Sequence, residues 1–293
     1  MVADLAPARA FSFDALELLR VAAFFAGSVL LVALAKYLRD LIALRRGHDL
    51  AKLIVHKDNT PVAVEMAGFV LAMTIALLGA LFVQGDAWWQ QALDLVGTGA
   101  IVMLVLLAND QLVSRVVLRG LDCNTAVMID HNLAVAIVRA AGNVATAFAL
   151  TAALNHPSPL WERLVWMVLG QGALVGLSFV YQWVTPYDDV AEVKRNNVAA
   201  ALPMAGVLLA AGLVVRSALA GAGAGWGPDL LSLAIDLAVS GALVLALRWL
   251  GDKLILPGST FEEEIARDRN AGVGFIEATL YVSGALAASY FLT

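Results

Sequence analysis

Eight apolar runs, each long enough to cross a lipid bilayer, dominate the pattern of residues along this chain. About 20 apolar residues in a helix cross the hydrocarbon core once. The runs are rich in Ala, Leu, Val and Gly and do not alternate as membrane strands do, so each predicts a helix. They lie at residues 14–36, 61–84, 91–109, 132–154, 161–183, 198–220, 229–250 and 271–292. The pattern predicts an all-α, polytopic membrane protein with eight spans.

The composition agrees with this prediction and excludes several classes of function. Of the 293 residues, 61% are hydrophobic and 15% are charged, and the mean hydropathy is +0.81. A typical soluble domain has about 25% charged residues. The 19 Lys and Arg residues are too few and too scattered for a nucleic-acid interface. The sequence contains no nucleotide-binding loop, nucleophile motif or metal-ligand spacing, so we expect no metal, no cofactor and no enzyme activity.

The distribution of basic residues predicts the orientation. Fourteen of the 19 lie in the last residues of the first, third, fifth and seventh runs or in the linkers that follow them. Cytoplasmic loops of inner-membrane proteins carry such an excess of Lys and Arg. We therefore expect a multi-pass protein of the bacterial inner membrane, with both termini in the periplasm and the four long linkers in the cytoplasm.

Internal repeats divide the chain into two units. Each even-numbered run begins at an asparagine, namely Asn59, Asn132, Asn197 and Asn270. Asn59 and Asn197 are 138 residues apart, and so are Asn132 and Asn270. Self-similarity at a fixed spacing indicates duplication, here of a four-span unit made of two hairpins. The predicted repeats are residues 1–155 and 156–293. An even number of spans in each unit makes the repeats parallel, related by an axis along the membrane normal.

The strongest family signal lies where the asparagines precede small residues. In the second unit, Thr185-Pro186 is followed by the segment 194–200, which reads Lys-Arg-Asn-Asn-Val-Ala-Ala, and the last run begins with 270–274, Asn-Ala-Gly-Val-Gly. In these features the chain resembles the YjfL family of bacterial inner-membrane proteins, domain-of-unknown-function family 350, twice over. The first unit departs from the family pattern at Pro61 and Glu65. The resemblance implies a four-span fold with no settled activity. Its usual gene neighbours, phage-shock-type coat proteins and polyamine enzymes, imply envelope maintenance or small cationic solutes.

Polar residues inside the predicted spans are the candidate functional residues. A charge at the centre of a membrane helix opposes insertion by roughly 2.5–3.5 kcal/mol, so such groups avoid lipid. Arg139 and Glu277 lie seven residues after their asparagines, 138 residues apart. We expect them to form an ion pair, with Glu65 as the second choice of partner for Arg139. The full set of candidates for a solute path or a buried polar network is Glu65, Asp94, Thr98, Arg139, Asn143, Asp236, Ser240 and Glu277.

The four asparagines have two interpretations. Asn is an ordinary N-cap, because its side-chain oxygen accepts a hydrogen bond from the first turn of a helix. Alternatively, pseudo-fourfold symmetry gathers the four helix N-termini around a cytoplasmic vestibule that binds anions or polar solutes.

Two functions fit the sequence. The leading hypothesis is a channel or carrier for a small ion or polar solute, in contact with the lipid bilayer and with no nucleic-acid partner. The alternative is a membrane anchor or scaffold whose cytoplasmic linkers recruit an envelope-stress partner. Either is compatible with an oligomer. A hydrated cavity at Arg139 would favour transport, whereas a dry contact between Arg139 and Glu277 would favour the scaffold.

Overall fold

The predicted eight-span, all-helical fold is confirmed in the computed structural model, which describes residues 15–80, 87–220, 223–256 and 258–292. Eight helices in these ranges have the length and apolar composition needed to cross a membrane. They are α1 (Ala15–Arg45), α3 (Thr60–Ala80), α4 (Trp88–Leu112), α6 (Leu133–Asn155), α7 (Leu160–Val184), α9 (Val198–Ala220), α10 (Trp226–Leu254) and α11 (Ala271–Leu292).

Short helical segments precede each even-numbered span. They are α2 (Leu50–Lys57), α5 (Cys123–Met128), α8 (Asp189–Lys194) and the π-helical turn π2 (Glu263–Arg267), and a further turn, π1 (Val113–Val117), extends α4. All four lie at the same end of the bundle, because the spans that follow them run parallel. We call this end the short-helix side.

Four spans, α3, α6, α9 and α11, pack side by side in that order and form an inner row. Glycine makes the close contacts possible. A Cβ added to Gly68 of α3 would lie 2.6 Å from the Cα of Ala140 in α6, and one added to Gly206 of α9 would lie 2.6 Å from the Cα of Ala278 in α11. Small residues at helix interfaces allow backbones to approach in this way. The two contacts are 138 residues apart, so the duplication repeats the packing as well as the sequence.

The other four spans cover one side of the inner row. Helix α4 lies against α3 and α6, α7 against α6 and α9, and α10 against α9 and α11. Helix α1, at the start of the chain, packs on α3 and α4. Most of α6 and α9 is buried, whereas most of α1 and α10 is exposed. The apolar exposed faces of the outer helices are suited to contact with lipid.

The inner row is open, which contradicts the predicted fourfold grouping. Within the described ranges, α3 and α11 lie at its two ends and share no packing interface. The physical reason is the angle between the two contact faces: on α6, Ala140 and Ala145 face α3 and α9 from positions about 140° apart around the helix, whereas a closed ring of four needs about 90°. The two halves are therefore not related by a closed twofold rotation, which would repeat the α6–α9 contact between α11 and α3.

Two helices extend eight or nine residues beyond their predicted ends. Helix α1 continues to Arg45 rather than ending near residue 36, and α4 with π1 continues to Val117 rather than ending near residue 109. Hydropathy falls where the first charged residues occur, but these helices continue because their charges face other helices. The extension brings Arg39 and Asp110 into the bundle.

Candidate functional site

The four asparagines act as helix caps. The side-chain oxygens of Asn59 and Asn132 accept hydrogen bonds from backbone N–H groups three residues ahead, at 3.1 and 2.9 Å. Those of Asn197 and Asn270 accept from N–H groups two residues ahead, both at 3.1 Å. The residue before each asparagine has a positive φ, between 47° and 57°. This left-handed residue turns the chain from the short segment into the span.

Three of these asparagines also bind the next hairpin. The Asn59 amide donates to the carbonyls of Val127 and Met128 in α5, at 3.3 and 3.2 Å. Asn132 donates to two carbonyls of α8, at 2.9 and 3.1 Å, and Asn197 donates to one in π2, at 2.9 Å. The three side chains are therefore buried between hairpins, and the predicted common vestibule is wrong.

The first half contains a closed arrangement of four buried charges. Arg39 of α1, Glu65 of α3, Asp110 of α4 and Arg139 of α6 alternate in sign around it. Arg39 pairs with Glu65 and lies 3.4 Å from Asp110. Arg139 lies 3.1 Å from Glu65 and 3.7 Å from Asp110. We call these residues the charge quartet. It holds two positive and two negative groups, so its formal charge is zero.

The quartet is buried, and further polar groups surround it. Its four residues are only 3–7% exposed. The Asn143 amide donates to Asp110 at 3.0 Å, and Asn109 donates to Asn143 at 2.8 Å. The amide oxygen of Asn124 accepts from Arg139 at 3.3 Å. Buried charges in a membrane are tolerated when they are paired and hydrogen-bonded in this way. The network leads from the quartet further into the bundle.

A cavity of about 350 Å³ connects the quartet with the short-helix side. Arg39, Glu65, Asp110 and Arg139 all contribute to its wall. Arg139 is seven residues into its span, which places it about 10 Å below the beginning of α6. The wall nearer the surface is also polar and includes Arg46, His48, Asp122, Asn124 and Thr125. A polar space of this volume holds on the order of ten water molecules.

The second half has a smaller polar cluster at the equivalent place. Glu277 is fully buried, lies 3.1 Å from Arg248 and accepts a hydrogen bond from the hydroxyl of Tyr281. The ring of Tyr181 packs edge-on against Tyr281 at 5.9 Å. The adjoining cavity is only about 80 Å³ and mostly apolar. The predicted pair of Arg139 and Glu277 is therefore wrong: each lies beside a side chain of opposite formal charge in its own half, because α6 and α11 share no packing interface in the open row.

Tyr187 and Asp189 lie in the linker next to the Glu277 cluster. Asp189 is buried and accepts a hydrogen bond from the hydroxyl of Thr185. Burial raises the pKa of Asp189 to about 7, against the opposing effect of the Thr185 hydrogen bond. Burial also raises the pKa of Tyr187. Asp189 therefore changes charge near neutral pH.

The comparison with known families gives one match. The model of the family described as Domain of Unknown Function (DUF350) matches residues 12–154 and again residues 156–292. The chain belongs to the DUF350 family. The two matches show a tandem duplication of the DUF350 unit, as the sequence predicts. No curated protein matches the chain, and no solved structure matches it.

The remaining candidates lie apart from the charge quartet of the first DUF350 unit. Asp94 is exposed near the beginning of α4, and Thr98 is half-buried one turn further on. Their counterparts in α10, Asp236 and Ser240, are both buried. Ser240 lines the small cavity of the second unit. The structure thus brings Glu65, Arg139 and Asn143 together, and separately places Ser240 at the same cavity as Arg248 and Tyr281.

Sequence reasoning missed several members of both clusters. Arg39 and Asp110 lie just beyond the predicted ends of their spans and Arg248 lies near the end of the seventh run, so none of the three is among the candidates that the sequence gives. The available signal was helical spacing, since Asp110 follows Leu106 by four residues and continues its face. In the described residues, no group of three or more His, Cys, Asp or Glu side chains is arranged to hold a metal ion.

Proposed function

We propose that this protein passes a small ion or a small polar solute across the membrane, through the cavity of the first half. The observation that carries the proposal is the polar cavity of about 350 Å³ that reaches four buried charges. A purely structural ion pair does not require a cavity of this size, because a tightly packed pair without space around it would serve the same role. A binding chamber requires that space.

The chamber is closed towards the far side. Beyond the quartet, the core towards the far side contains apolar side chains such as Leu77 of α3 and Leu150 of α6, which are fully buried. The solute would therefore enter from the short-helix side and leave after these helices move apart. The quartet presents both guanidinium and carboxylate groups, so it can exchange an internal partner for a charged or polar solute.

The same proposal includes the orientation. The short-helix side carries most of the basic residues, so we place it in the cytoplasm of a bacterial inner-membrane protein, with both termini in the periplasm. The chamber then opens to the cytoplasm. No step of this mechanism makes or breaks a covalent bond, and the proposal includes no enzyme activity.

Site-specific blocking in liposomes tests the proposal. In a Cys123→Ala background, Met128→Cys places a thiol on the cavity wall, whereas Ile129→Cys places one on the exposed surface next to it. Flux of protons, K⁺, Cl⁻ and small polyols would be measured before and after treatment with a charged methanethiosulfonate. We expect block only at Met128→Cys.

Two results would contradict the proposal. Flux that persists after Met128→Cys is fully labelled would mean that the solute does not use this cavity. Absence of flux above empty liposomes for every probe would favour the alternative, a membrane anchor that recruits an envelope-stress partner through its cytoplasmic segments.

A further inference from the structure

The contact between successive hairpins occurs three times within the chain and leaves its two ends unused. At each internal contact, the capping asparagine of one hairpin donates to the short segment of the next. Asn59, Asn132 and Asn197 are consequently only 0%, 4% and 1% exposed. Asn270 is exposed, and its amide donates to Glu264 of its own hairpin. The Asn197 amide donates both to Glu192 of its own hairpin and to the carbonyl of Ile265 in the next one. By analogy, the Asn270 amide, which donates to Glu264, has a second hydrogen that can bind a neighbouring carbonyl.

The face of α11 that continues the row is exposed and has small residues at the two positions of closest approach. Gly206 of α9, nine positions after the capping asparagine of that helix, contacts α11. The equivalent residue of α11, nine positions after its own capping asparagine, is Thr279. Ala145 of α6 contacts α9, and its counterpart in α11 is Ser283. Both Thr279 and Ser283 are exposed. This is the face through which an inner helix binds its successor.

The complementary face is exposed on α3. Ala140 of α6 and Ala278 of α11 receive the preceding helix, and their counterpart in α3 is Ala67. Gly212 of α9 receives α6, and its counterpart is Thr74. Ala67 and Thr74 are both exposed. In α5, Asn59 binds the two carbonyls that lie five and four residues before the next asparagine of the chain. The residues five and four positions before Asn59 itself are Ile54 and Val55 of α2.

Helix α1 also lacks one neighbour at this end. Each later outer helix lies in the groove between two inner helices, α4 between α3 and α6, α7 between α6 and α9, and α10 between α9 and α11. Helix α1 has only α3 on the inner row. A further inner helix beside α3 would give α1 the same groove.

We propose that a second copy of this chain supplies that helix. In this head-to-tail contact, α11 of one copy packs on α3 of the next, and Asn270 donates to the carbonyls of Ile54 and Val55. The contact extends an interface that the chain already forms three times. It buries small residues against small residues, which is the usual basis of helix association in lipid.

The curvature of the row sets the number of copies. On α6, the residues that face α3 and α9 are Ala140 and Ala145, five positions and about 140° apart around the helix. On α9, the corresponding residues are Gly212 and Gly206, six positions and about 120° apart in the same sense. The row therefore turns by about 40–60° at each helix. A closed ring of eight inner helices requires a turn of about 45° at each helix, and two copies supply eight. The two copies are then joined through two identical interfaces.

Disulfide trapping tests the contact. In a Cys123→Ala background, Ala67→Cys and Thr279→Cys would be combined in one full-length chain and oxidised in native membranes. Gly68 meets Ala140 and Gly206 meets Ala278, so position 279 should meet position 67 of the neighbouring copy. We expect a covalent dimer only when both cysteines are present. The control pair is Ala67→Cys with Leu245→Cys, because Leu245 is exposed on α10, outside the proposed contact.

A second measurement does not depend on introduced cysteines. Thr279→Trp fills the exposed face of α11, and mass photometry in nanodiscs should show loss of the dimer, while Leu245→Trp leaves the dimer intact. Asn270→Asp keeps the capping oxygen and removes the amide donor, and it should weaken association roughly fivefold at each contact. A folded protein without the 67–279 cross-link, or with cross-links in the Thr279→Cys single variant, would overturn the proposal. A ladder of longer cross-linked species would overturn the closed pair.

Discussion

The two halves of the chain share a scaffold and differ at the polar site within it. Gly68 packs on Ala140 and Gly206 packs on Ala278 in the same way. At one pair of equivalent positions, however, the first half has Arg139 and the second has Glu277. Arg139 belongs to a quartet beside a cavity of about 350 Å³, whereas Glu277 pairs with Arg248 beside one of about 80 Å³. The two halves thus share the close glycine contacts between helices and differ in their buried charges.

The quartet is expected to be the more sensitive of the two sites. Arg139→Gln leaves Arg39 with two buried carboxylates and an uncompensated negative charge. Breaking a buried charged contact in this way typically costs about 3–5 kcal/mol. Glu277→Gln should cost less, because a glutamine still accepts the Tyr281 hydrogen bond and the Arg248 side chain, 13% exposed, can reach water. The free energy of unfolding in detergent, titrated with SDS, measures both. Equal losses in the two variants would contradict the asymmetry.

A double variant shows whether the quartet acts as one unit. Exchanging the charges of Glu65 and Arg139 would put like charges beside Arg39 and beside Asp110, so we expect no rescue from the exchange. Neutralising both, with Glu65→Gln and Arg139→Gln, leaves the Arg39–Asp110 pair and a net charge of zero. The double variant should therefore lose less stability than the two single variants together, by roughly 0.5–3 kcal/mol. Strict additivity would show that the four charges are independent.

The second half should respond to pH through Asp189. Burial raises its pKa from 3.8 in the unfolded chain to about 7 in the folded protein. The folded state therefore holds the proton more tightly, and the stability from this group is complete below pH 3.8 and is lost as the pH rises towards 7. Three pKa units correspond to at most about 4 kcal/mol. Asp189→Asn should stabilise the protein at pH 8 and have little effect at pH 4. If Asp189→Asn changes the free energy of unfolding by the same amount at pH 8 and at pH 4, the raised pKa of Asp189 is contradicted.

The sequence predicted the scaffold better than the site. Apolar runs mark spans directly, and the asparagine spacing revealed the duplication that the two DUF350 matches show. The same patterns could not reveal which helices meet. Arg139 and Glu277 occupy equivalent positions, yet equivalence implies contact only in a closed ring, and one chain forms an open row. A hydropathy pattern also predicts the end of a span near its first charged residue. Arg39 and Asp110 were therefore predicted to lie in linkers, although their helices continue past these residues.

The shared scaffold should be equally sensitive in both halves. A methyl group added at Gly68 or at Gly206 meets the backbone of the neighbouring inner helix, so Gly68→Ala and Gly206→Ala should each destabilise the protein by about 1–3 kcal/mol. Gly172→Ala is the matched control, because an added Cβ at Gly172 meets no atom within 4 Å. Thermal stability measured by size-exclusion chromatography after heating would rank the three. A large difference between Gly68→Ala and Gly206→Ala would mean that the scaffold has diverged as well.

The smallest expected difference lies in the residues that precede the capping asparagines. His131 and Asn196 both have φ near +55°, a left-handed conformation that costs a residue with a Cβ roughly 1 kcal/mol or more. Glycine adopts it without that cost, so His131→Gly, on an exposed side chain, should stabilise the protein by about 0.5–1 kcal/mol. Asn196→Gly should bring no such gain, because asparagine tolerates this conformation and its side-chain oxygen accepts a hydrogen bond from the Ala134 N–H at 3.1 Å. Paired SDS titrations of the two variants resolve the difference. Equal stabilisation by both would contradict this expectation, whereas a gain at His131 alone is the result that the tolerance of asparagine for this conformation and the bond to Ala134 together predict.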